Sequence, residues 1–98
     1  MRIMSKKVVV QKYIEHPLLY EKRKFDIRMY FMVSHSCKVY VYSEMYIRVS
    51  AQPYDLGSLR KFGHLNNIAL QKYSPHFDGE KAVISPKKLE EYLREHGH

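Results

Sequence analysis

The sequence predicts an α+β fold in which a mostly antiparallel sheet meander is followed by a carboxyl-terminal helix. Strand-sized apolar or alternating segments fill the first half of the 98-residue chain, and a helical pattern closes it. Gly/Ser-rich linkers and internal repeats are both missing from the sequence. A length of 98 residues allows one small domain or a piece of a larger one. We therefore expect residues 1–98 to form a single unit.

Two segments in the first third of the chain carry strand patterns. Val8 to Ile14 is an apolar, β-branched run that stops before Pro17, and it predicts a strand buried on both faces. Lys24 to Ser34 alternates instead, which predicts one core face, made of Phe25, Ile27, Met29, Phe31 and Val33. The opposite face begins with three charged side chains, those of Lys24, Asp26 and Arg28. This strand is therefore the one that carries chemistry on its surface.

Two shorter strands and an irregular segment follow. Lys38 to Tyr42 and Tyr46 to Ser50 continue the meander, and Arg48 is expected on the opposite face to its neighbours Ile47 and Val49. Residues 55–72 mix short helical periodicity with a glycine break, so they predict no regular element of any length.

The carboxyl-terminal segment has the pattern of a capped helix. Ser85 is a suitable N-cap and Pro86 suits the first helical position. Glu90 can pair with Arg94 one turn later, and Gly97 fits the position after the last turn. One face of the helix is expected to be formed by Leu89, Tyr92, Leu93 and His96.

Charge and composition limit the classes of function. A net charge of +7 and a pI of about 9.5 favour anionic partners such as nucleotide phosphates, acidic peptides, nucleic acid or anionic membrane. No apolar run approaches the roughly 20 residues needed to cross a bilayer, so we expect no membrane insertion. Met1 to Lys7 lack a secretory signal, which predicts an interior compartment. The lone Cys37 is expected to be half-buried, and the scattered histidines predict no metal site.

The charged strand face has a structural and a functional interpretation. As a solvated strand edge, its side chains would pair weakly, at about 0 to 1 kcal/mol per exposed pair. As a polyphosphate cradle, Lys24 and Arg28 would neutralise phosphates, and Arg48 could join them from a neighbouring strand. Asp26 would either hold a sugar hydroxyl or orient the two cations. Neither a Walker A sequence nor G-x-G-x-x-G is present, which excludes P-loop and Rossmann sites at the level of motifs.

Nucleic-acid binding is a further class that a basic, tyrosine-rich meander could serve. The aromatic motif of RNA-recognition sheets is missing. Tyr40 and Tyr42 are expected to pack within the meander and not to stack on bases. We therefore do not expect nucleic acid as a partner.

Five blocks of residues, in order, resemble the tubulin tyrosine ligase-like family, and together they cover about residues 8 to 76. The blocks are Val9-Val10-Gln11-Lys12-Tyr13-Ile14; Pro17-Leu18-Leu19; Lys24-Phe25-Asp26-Ile27-Arg28; Tyr46-Ile47-Arg48 with Gln52-Pro53-Tyr54; and His64-Leu65-Asn66-Asn67 with Gln71-Lys72. The resemblance implies an ATP-grasp fold, in which nucleotide lies between two α+β lobes. Residues 1–98 would then be a partial domain belonging to one ATP-grasp lobe.

The resemblance also implies roles for individual residues. The adenine would be held by a hinge formed by Gln11, Lys12, Tyr13 and Ile14. Further cofactor contacts would come from Lys24, Asp26, Asn67 and the neighbouring Asn66. The catalytic cations would be Arg28, directed at the phosphates, and Arg48, which would also face the carboxylate or amino-acid substrate. Lys72 would be a substrate-side lysine.

The implied reaction is ATP-dependent ligation of a free amino acid to a tubulin tail, assisted by Mg²⁺. Three departures from the family pattern bear on it: Asn66 stands where Thr is usual, Ile68 and Ala69 replace a Tyr and a Ser of glutamate-adding members, and the magnesium carboxylates have no counterpart before His98. Glutamate is thus in doubt as the added amino acid, and the 98-residue chain alone is expected to be inactive. The family implies a cytoplasmic, microtubule-associated setting, which includes the cilium and basal body. Two alternatives stay open, a non-catalytic microtubule- or axoneme-binding relative and an unrelated basic anion-binding module.

Overall fold

The computed structural model describes residues 7–59 and 61–98, and antiparallel strands and a carboxyl-terminal helix dominate it. The strands are β1 (Leu19–Tyr20), β2 (Arg23–Arg28), β3 (Phe31–Val33), β4 (Val39–Val41), β5 (Tyr46–Val49) and β6 (Val83–Ile84). The helices are α1 (Ile68–Gln71), α2 (Gly79–Ala82) and α3 (Pro86–Glu95), and a short 3₁₀ turn spans Lys61–Gly63. One sheet has the order β1-β2-β5-β6, and β3 pairs with β4 in a separate hairpin. The predicted α+β class, with a mostly antiparallel sheet and a closing helix, is confirmed.

The register between β2 and β5 sorts their side chains onto two faces. Phe25 lies opposite Val49, and Asp26 lies opposite Arg48. Because side chains alternate along a strand, the apolar pair and the charged pair project from opposite sides of the sheet. The core therefore forms on one side, and the charged residues gather on the other.

Helix α3 covers the apolar side of the sheet. The buried core consists of Tyr20, Ile47, Val49, Ile84 and Leu89, with Phe25, Tyr92 and Leu93 packed against it. The Ser85 hydroxyl accepts a hydrogen bond from the Lys88 amide at 3.2 Å, which caps the helix as predicted. Gly97 follows the last turn with a φ of +81°, where a side chain would be strained.

The predicted strand from Val8 to Ile14 is wrong. This segment has no strand conformation, and Val8 and Val10 are 74% and 92% exposed. A strand buried on both faces needs neighbouring strands and a layer on either side. Within the described ranges, no strand pairs with these residues.

The strand predicted from Lys24 to Ser34 is interrupted, and its core face is shorter than expected. The ladder breaks at Met29 and Tyr30, and β3 then pairs with β4 away from the four-stranded sheet. Phe25 packs against the core, but Ile27, Phe31 and Val33 are more than half exposed. Helix α3 packs on β1 and β5, so it does not cover the hairpin.

The hairpin accounts for two further corrections. Tyr40 and Tyr42 were expected to pack, yet both are exposed. Cys37 lies in the turn of the hairpin with a φ of 60° and is exposed, not half-buried. The sheet order also departs from a simple meander, because β5 and not β3 is the neighbour of β2.

The segment from residue 55 to 72 is largely irregular, as predicted, with only the 3₁₀ turn and α1 as regular pieces. Helix α2 and the two-residue β6 were not predicted. Apart from Lys7, the amino-terminal stretch used to infer an interior compartment lies outside the described residues. None of the helices in the described ranges is long and apolar enough to cross a membrane.

Candidate functional site

The charged side of the sheet brings together four side chains, which we call the polar face: Lys24, Asp26 and Arg28 from β2, and Arg48 from β5. Alternate positions on β2 place its three members on one side, and the register sets Arg48 beside Asp26. Three cations and one carboxylate thus share a single surface.

Asp26 and Arg48 form a bidentate ion pair at the centre of this face. The Arg48 Nε donates to Asp26 Oδ1 and the Nη2 donates to Oδ2, each at 2.7 Å. Both side chains are partly shielded, with 20% of Arg48 and 39% of Asp26 exposed. The hydrogen bond to Asp26 raises the pKa of Arg48 above its already high ordinary value. Arg48 is therefore a permanent cation of fixed direction, and its Nη1 edge lies outside the pair.

Two tyrosines lie beside Arg28 at one end of the polar face. The Arg28 guanidinium carbon lies 5.0 Å from the centre of the Tyr30 ring, and Tyr46 is opposite Arg28 in the sheet. The hydrogen bond from Arg28 lowers the pKa of Tyr30, and hydrogen bonding with Tyr30 raises that of Tyr46. Arg28 itself is exposed, so an anion can reach it.

Lys24 lies at the other end, where it contacts residues far away in the sequence. Its Nζ donates to the His64 carbonyl oxygen at 3.0 Å and to the Tyr13 hydroxyl at 3.2 Å. The ammonium also lies 4.8 Å from the centre of the Tyr13 ring. The Tyr13 hydroxyl in turn meets His64 Nδ1 at 2.7 Å.

The partners of the His64 ring decide its tautomer. Nε2 lies 2.7 Å from the carbonyl oxygen of Ser58, which can only accept a hydrogen bond. Nε2 therefore carries the hydrogen, and Nδ1 accepts from the hydroxyl of Tyr13. The edge of the ring also meets Tyr54, at 5.3 Å between centroids.

Tyr54 fastens the extended segment from a second point. Its hydroxyl donates to the Glu15 carbonyl oxygen at 2.6 Å. Partial removal from water raises the pKa of Tyr54. Residues 13–15 are thus held beside β2 although they have no strand structure.

The predicted site residues fall into those that converge and those that do not. Tyr13, Lys24, Asp26, Arg28 and Arg48 line one continuous side of the sheet. By contrast, Gln11, Lys12 and Ile14 are exposed along the extended segment. Lys72 is exposed as well, with its Nζ 5.7 Å from the centre of the neighbouring Tyr73 ring.

The two adjacent asparagines have different environments. Asn66 is buried and accepts a hydrogen bond from the Ser50 hydroxyl, which fastens the loop to the end of β5. Asn67 is exposed, and its backbone oxygen accepts from the amides of Leu70 and Gln71, so it begins α1.

Gln71 is a structural residue of this site that the sequence analysis gave no role. Only 1% of it is exposed. Its Oε1 accepts from the Ala51 amide at 2.8 Å, and its Nε2 donates to the carbonyl oxygens of Phe62 and Leu65. It therefore joins the end of β5 to the loop that carries His64. The only sequence signal for Gln71 was its position in the fifth of the blocks that resemble the family.

A metal-binding cluster is missing from the residues that the structure describes, since no group of three or more His, Cys, Asp and Glu side chains there could hold an ion. The donors that do converge are cations and hydroxyls, which suit phosphate and carboxylate groups. The fold and site thus define an α+β unit with a cationic, tyrosine-lined face.

Comparison with known proteins identifies the family. The profile of the tubulin-tyrosine ligase family matches residues 2–96. The chain belongs to the tubulin-tyrosine ligase family.

Its relatives include several proteins that are named for glycine addition. It is 36% identical over 92 residues to tubulin glycylase 3B of Tetrahymena thermophila, with 89% of this chain and 8% of the relative covered. It is 38% identical over 99 residues to the protein monoglycylase TTLL8 of Homo sapiens, covering 93% and 12%. It is 47% identical over 75 residues to the tubulin monoglycylase TTLL3 of Danio rerio, covering 74% and 10%. The chain thus spans about a tenth of the length of these curated relatives.

Proposed function

We propose that this chain is part of an ATP-dependent ligase that joins glycine to a carboxylate of a tubulin tail. The observation that carries the proposal is the polar face, with its fixed Arg48, in a member of the tubulin-tyrosine ligase family. Glycine is the proposed amino acid because similar proteins are named glycylases. Ile68 and Ala69, which depart from the pattern of glutamate-adding members, support the same choice.

The proposed reaction has two steps. The terminal phosphate of ATP is transferred to the tail carboxylate, which gives an acyl phosphate and ADP. The amine of glycine then attacks the acyl carbon, phosphate leaves, and an amide bond remains. Negative charge develops on phosphate oxygens in both steps, so cations fixed at that position lower the barrier.

The side chains present fit this chemistry. We assign the phosphate oxygens to Lys24 and Arg28, and the position of both cations on the same side of β2 supports this assignment. Arg48 presents the Nη1 edge of its guanidinium, which suits a carboxylate or an acyl phosphate. Tyr13 is the hinge residue that reaches this surface, through its contacts with Lys24 and His64. Adenine contacts from Gln11 to Ile14, and ligand contacts from Asn66, Asn67 and Lys72, belong to the same proposal.

The described residues include proposed contacts for ATP but no cluster of ligands for Mg²⁺. The family resemblance implies Mg²⁺, but the described residues offer no cluster of ligands for it. No step above therefore depends on a metal held by these residues.

The setting of the proposed enzyme follows from its substrate. An acidic tubulin tail complements a chain of net charge +7, and such a tail places the enzyme on cytoplasmic microtubules, including those of the cilium and basal body. An ATP-grasp architecture, with nucleotide bound between two lobes, is the fold that we propose for the whole catalytic unit.

Incorporation of labelled amino acids tests the proposal directly. The full-length gene product is incubated with tubulin, ATP and radiolabelled glycine, glutamate or tyrosine. We expect glycine incorporation that requires ATP, a large loss with Arg28→Ala, and no loss with Lys87→Ala, an exposed lysine on α3. Incorporation of glutamate or tyrosine in place of glycine would overturn the choice of amino acid. Binding to microtubules with no incorporation at all would favour a non-catalytic relative.

A further inference from the structure

We propose that His64 is the positioning residue that aims Lys24 and Tyr13 at the nucleotide. This inference rests on the proposed function, because that function assigns nucleotide contacts to Lys24 and Tyr13. His64 itself has no assigned role in the resemblance or in the reaction described above.

His64 joins three parts of the chain that are distant from one another. Its Nδ1 contacts Tyr13, which is 51 residues away, and its carbonyl oxygen contacts Lys24, which is 40 residues away. Its Nε2 contacts the backbone of Ser58, six residues away. The imidazole is also steeply inclined to two tyrosine rings, with interplanar angles of 74° to Tyr13 and 78° to Tyr54 and centroid distances of 5.5 and 5.3 Å. The position of the ring is therefore determined from several sides.

The hydrogen bonds around His64 run in one direction. Lys24 donates to the Tyr13 hydroxyl, Tyr13 donates to His64 Nδ1, and His64 Nε2 donates to the Ser58 carbonyl oxygen. Each donor in such a chain strengthens the next by polarising it. Two of the three N–H bonds of the Lys24 ammonium are directed by Tyr13 and the His64 carbonyl oxygen. The direction of the third N–H is then fixed for an incoming phosphate oxygen.

His64 acts through its neighbours and not by direct contact, because both of its ring nitrogens already have protein partners. A purely structural role is the competing explanation, in which the bond to Ser58 merely holds the loop. The two explanations depend on different ring nitrogens, so two substitutions separate them.

His64→Asn and His64→Gln form the matched pair. The asparagine amide falls near the position of Nδ1 and can still accept from Tyr13, whereas the glutamine amide falls near Nε2 and can still donate to Ser58. Tyr13→Phe removes the hydroxyl from the other side, and it changes a side chain that is already 41% exposed, so it leaves the core intact. His16→Gln, at an exposed histidine, is the control.

The experiment measures the Kd of ATP by calorimetry, and the kcat and KM for glycine, in the full-length gene product. His64→Gln is expected to raise the Kd of ATP about three- to tenfold, as fits the loss of its one hydrogen bond with Tyr13. Tyr13→Phe is expected to raise it at least as much, because it also removes the hydroxyl that accepts from Lys24. Adding His64→Gln to Tyr13→Phe is expected to change the Kd little further, because Tyr13→Phe already removes the contact that His64→Gln breaks. His64→Asn and His16→Gln should stay within about twofold of wild type, and the KM for glycine should change little in any of them.

The outcomes separate failure of this inference from failure of the proposed function. A wild-type protein that binds no ATP overturns both. If wild type binds ATP but His64→Gln and Tyr13→Phe bind it equally well, the role of His64 alone is overturned. A loss confined to His64→Asn would assign the effect to the Ser58 contact, which also overturns the inference. Should His64→Gln fail to fold, Tyr13→Phe is compared with His64→Asn: a raised Kd in the first with a wild-type Kd in the second supports the inference, and a wild-type Kd in Tyr13→Phe overturns it, because the imidazole acts on Lys24 through that hydroxyl.

Discussion

Replacing Gln71 with methionine is expected to destabilise the protein by about 2 to 4 kcal/mol. Methionine has nearly the same length and volume as glutamine but lacks its hydrogen-bonding amide. Gln71 is 1% exposed and serves three backbone groups: the Ala51 amide and the carbonyl oxygens of Phe62 and Leu65. The substitution therefore removes partners without opening a large cavity.

The magnitude follows from how well each of those groups is buried. A buried backbone group that loses its partner costs about 1 to 3 kcal/mol. Ala51 is buried, so loss of the hydrogen bond to its amide is expected to have the full destabilising effect. Leu65 is exposed, so water can replace the lost hydrogen bond at its carbonyl oxygen. One full cost and two partial costs give the expected range, which is a large share of the roughly 5 to 15 kcal/mol that stabilises a typical domain.

Urea unfolding followed by circular dichroism measures this loss. Gln52→Met is the matched control, because the Gln52 amide makes one long hydrogen bond, 3.5 Å to the Ser74 hydroxyl. We expect the control to change the free energy of unfolding by less than about 1 kcal/mol. If Gln71→Met costs no more than the control, Gln71 does not fasten the loop to β5 and this reasoning is refuted.

Three further predictions concern the substrate side, the helix cap and the core. Arg48→Ala is expected to lower kcat/KM for tubulin about ten- to a hundredfold, through loss of a charge-assisted contact, while the Kd of ATP stays within about twofold; an unchanged kcat/KM would contradict this. Ser85→Ala should cost about 1 kcal/mol in urea unfolding and Ser85→Asp much less, because the cap needs a side-chain acceptor; equal losses would count against it. Burial raises the pKa of Tyr20, so folding favours its neutral form. That stabilisation is complete below the ordinary phenol value of about 10 and is lost as pH rises through the higher folded value, so the unfolding free energy of Tyr20→Phe should fall less between pH 9 and pH 11 than that of wild type.

The elements that sequence reasoning located correctly are those whose causes are local. Ser85 caps α3 and Gly97 follows its end because capping depends on neighbouring residues only. Strand β2 keeps Asp26 on the side opposite Phe25 because alternation is a property of any extended chain. The same alternation places Arg48 on the polar side of β5.

Burial could not be predicted in the same way. A pattern of apolar residues indicates which side chains would be stabilised by burial, but it does not show which other element packs against them. Val10 and Phe31 have the side chains of core strands and are 92% and 69% exposed. Within the described residues, α3 packs on β1 and β5, and the hairpin of β3 and β4 stays exposed. An apolar run in the sequence therefore does not by itself predict a buried strand.

For the site residues, too, the sequence indicated which residues are involved but not which contacts they make. The family resemblance named Lys24 and Tyr13, but their contact with one another and with His64 spans up to 51 residues of sequence. It also named Asn66, whose amide is buried against Ser50. Neither environment follows from a periodicity, because loops bring these residues together and no repeating pattern describes a loop.

The polar face therefore has two halves that differ in how they are held. Arg48 lies in β5 between Ile47 and Val49, which are 1% and 3% exposed, so core packing and the pair with Asp26 fix its position. Lys24 also starts from a strand, but its ammonium is aimed by Tyr13 and His64, which belong to irregular segments. Side chains held by packed strands keep their geometry more closely than those held by loops. The substrate half of the proposed site is thus rigid before any ligand binds, whereas the nucleotide half depends on a few hydrogen bonds, and small changes in the loop around His64 should alter ATP affinity before they alter tubulin recognition.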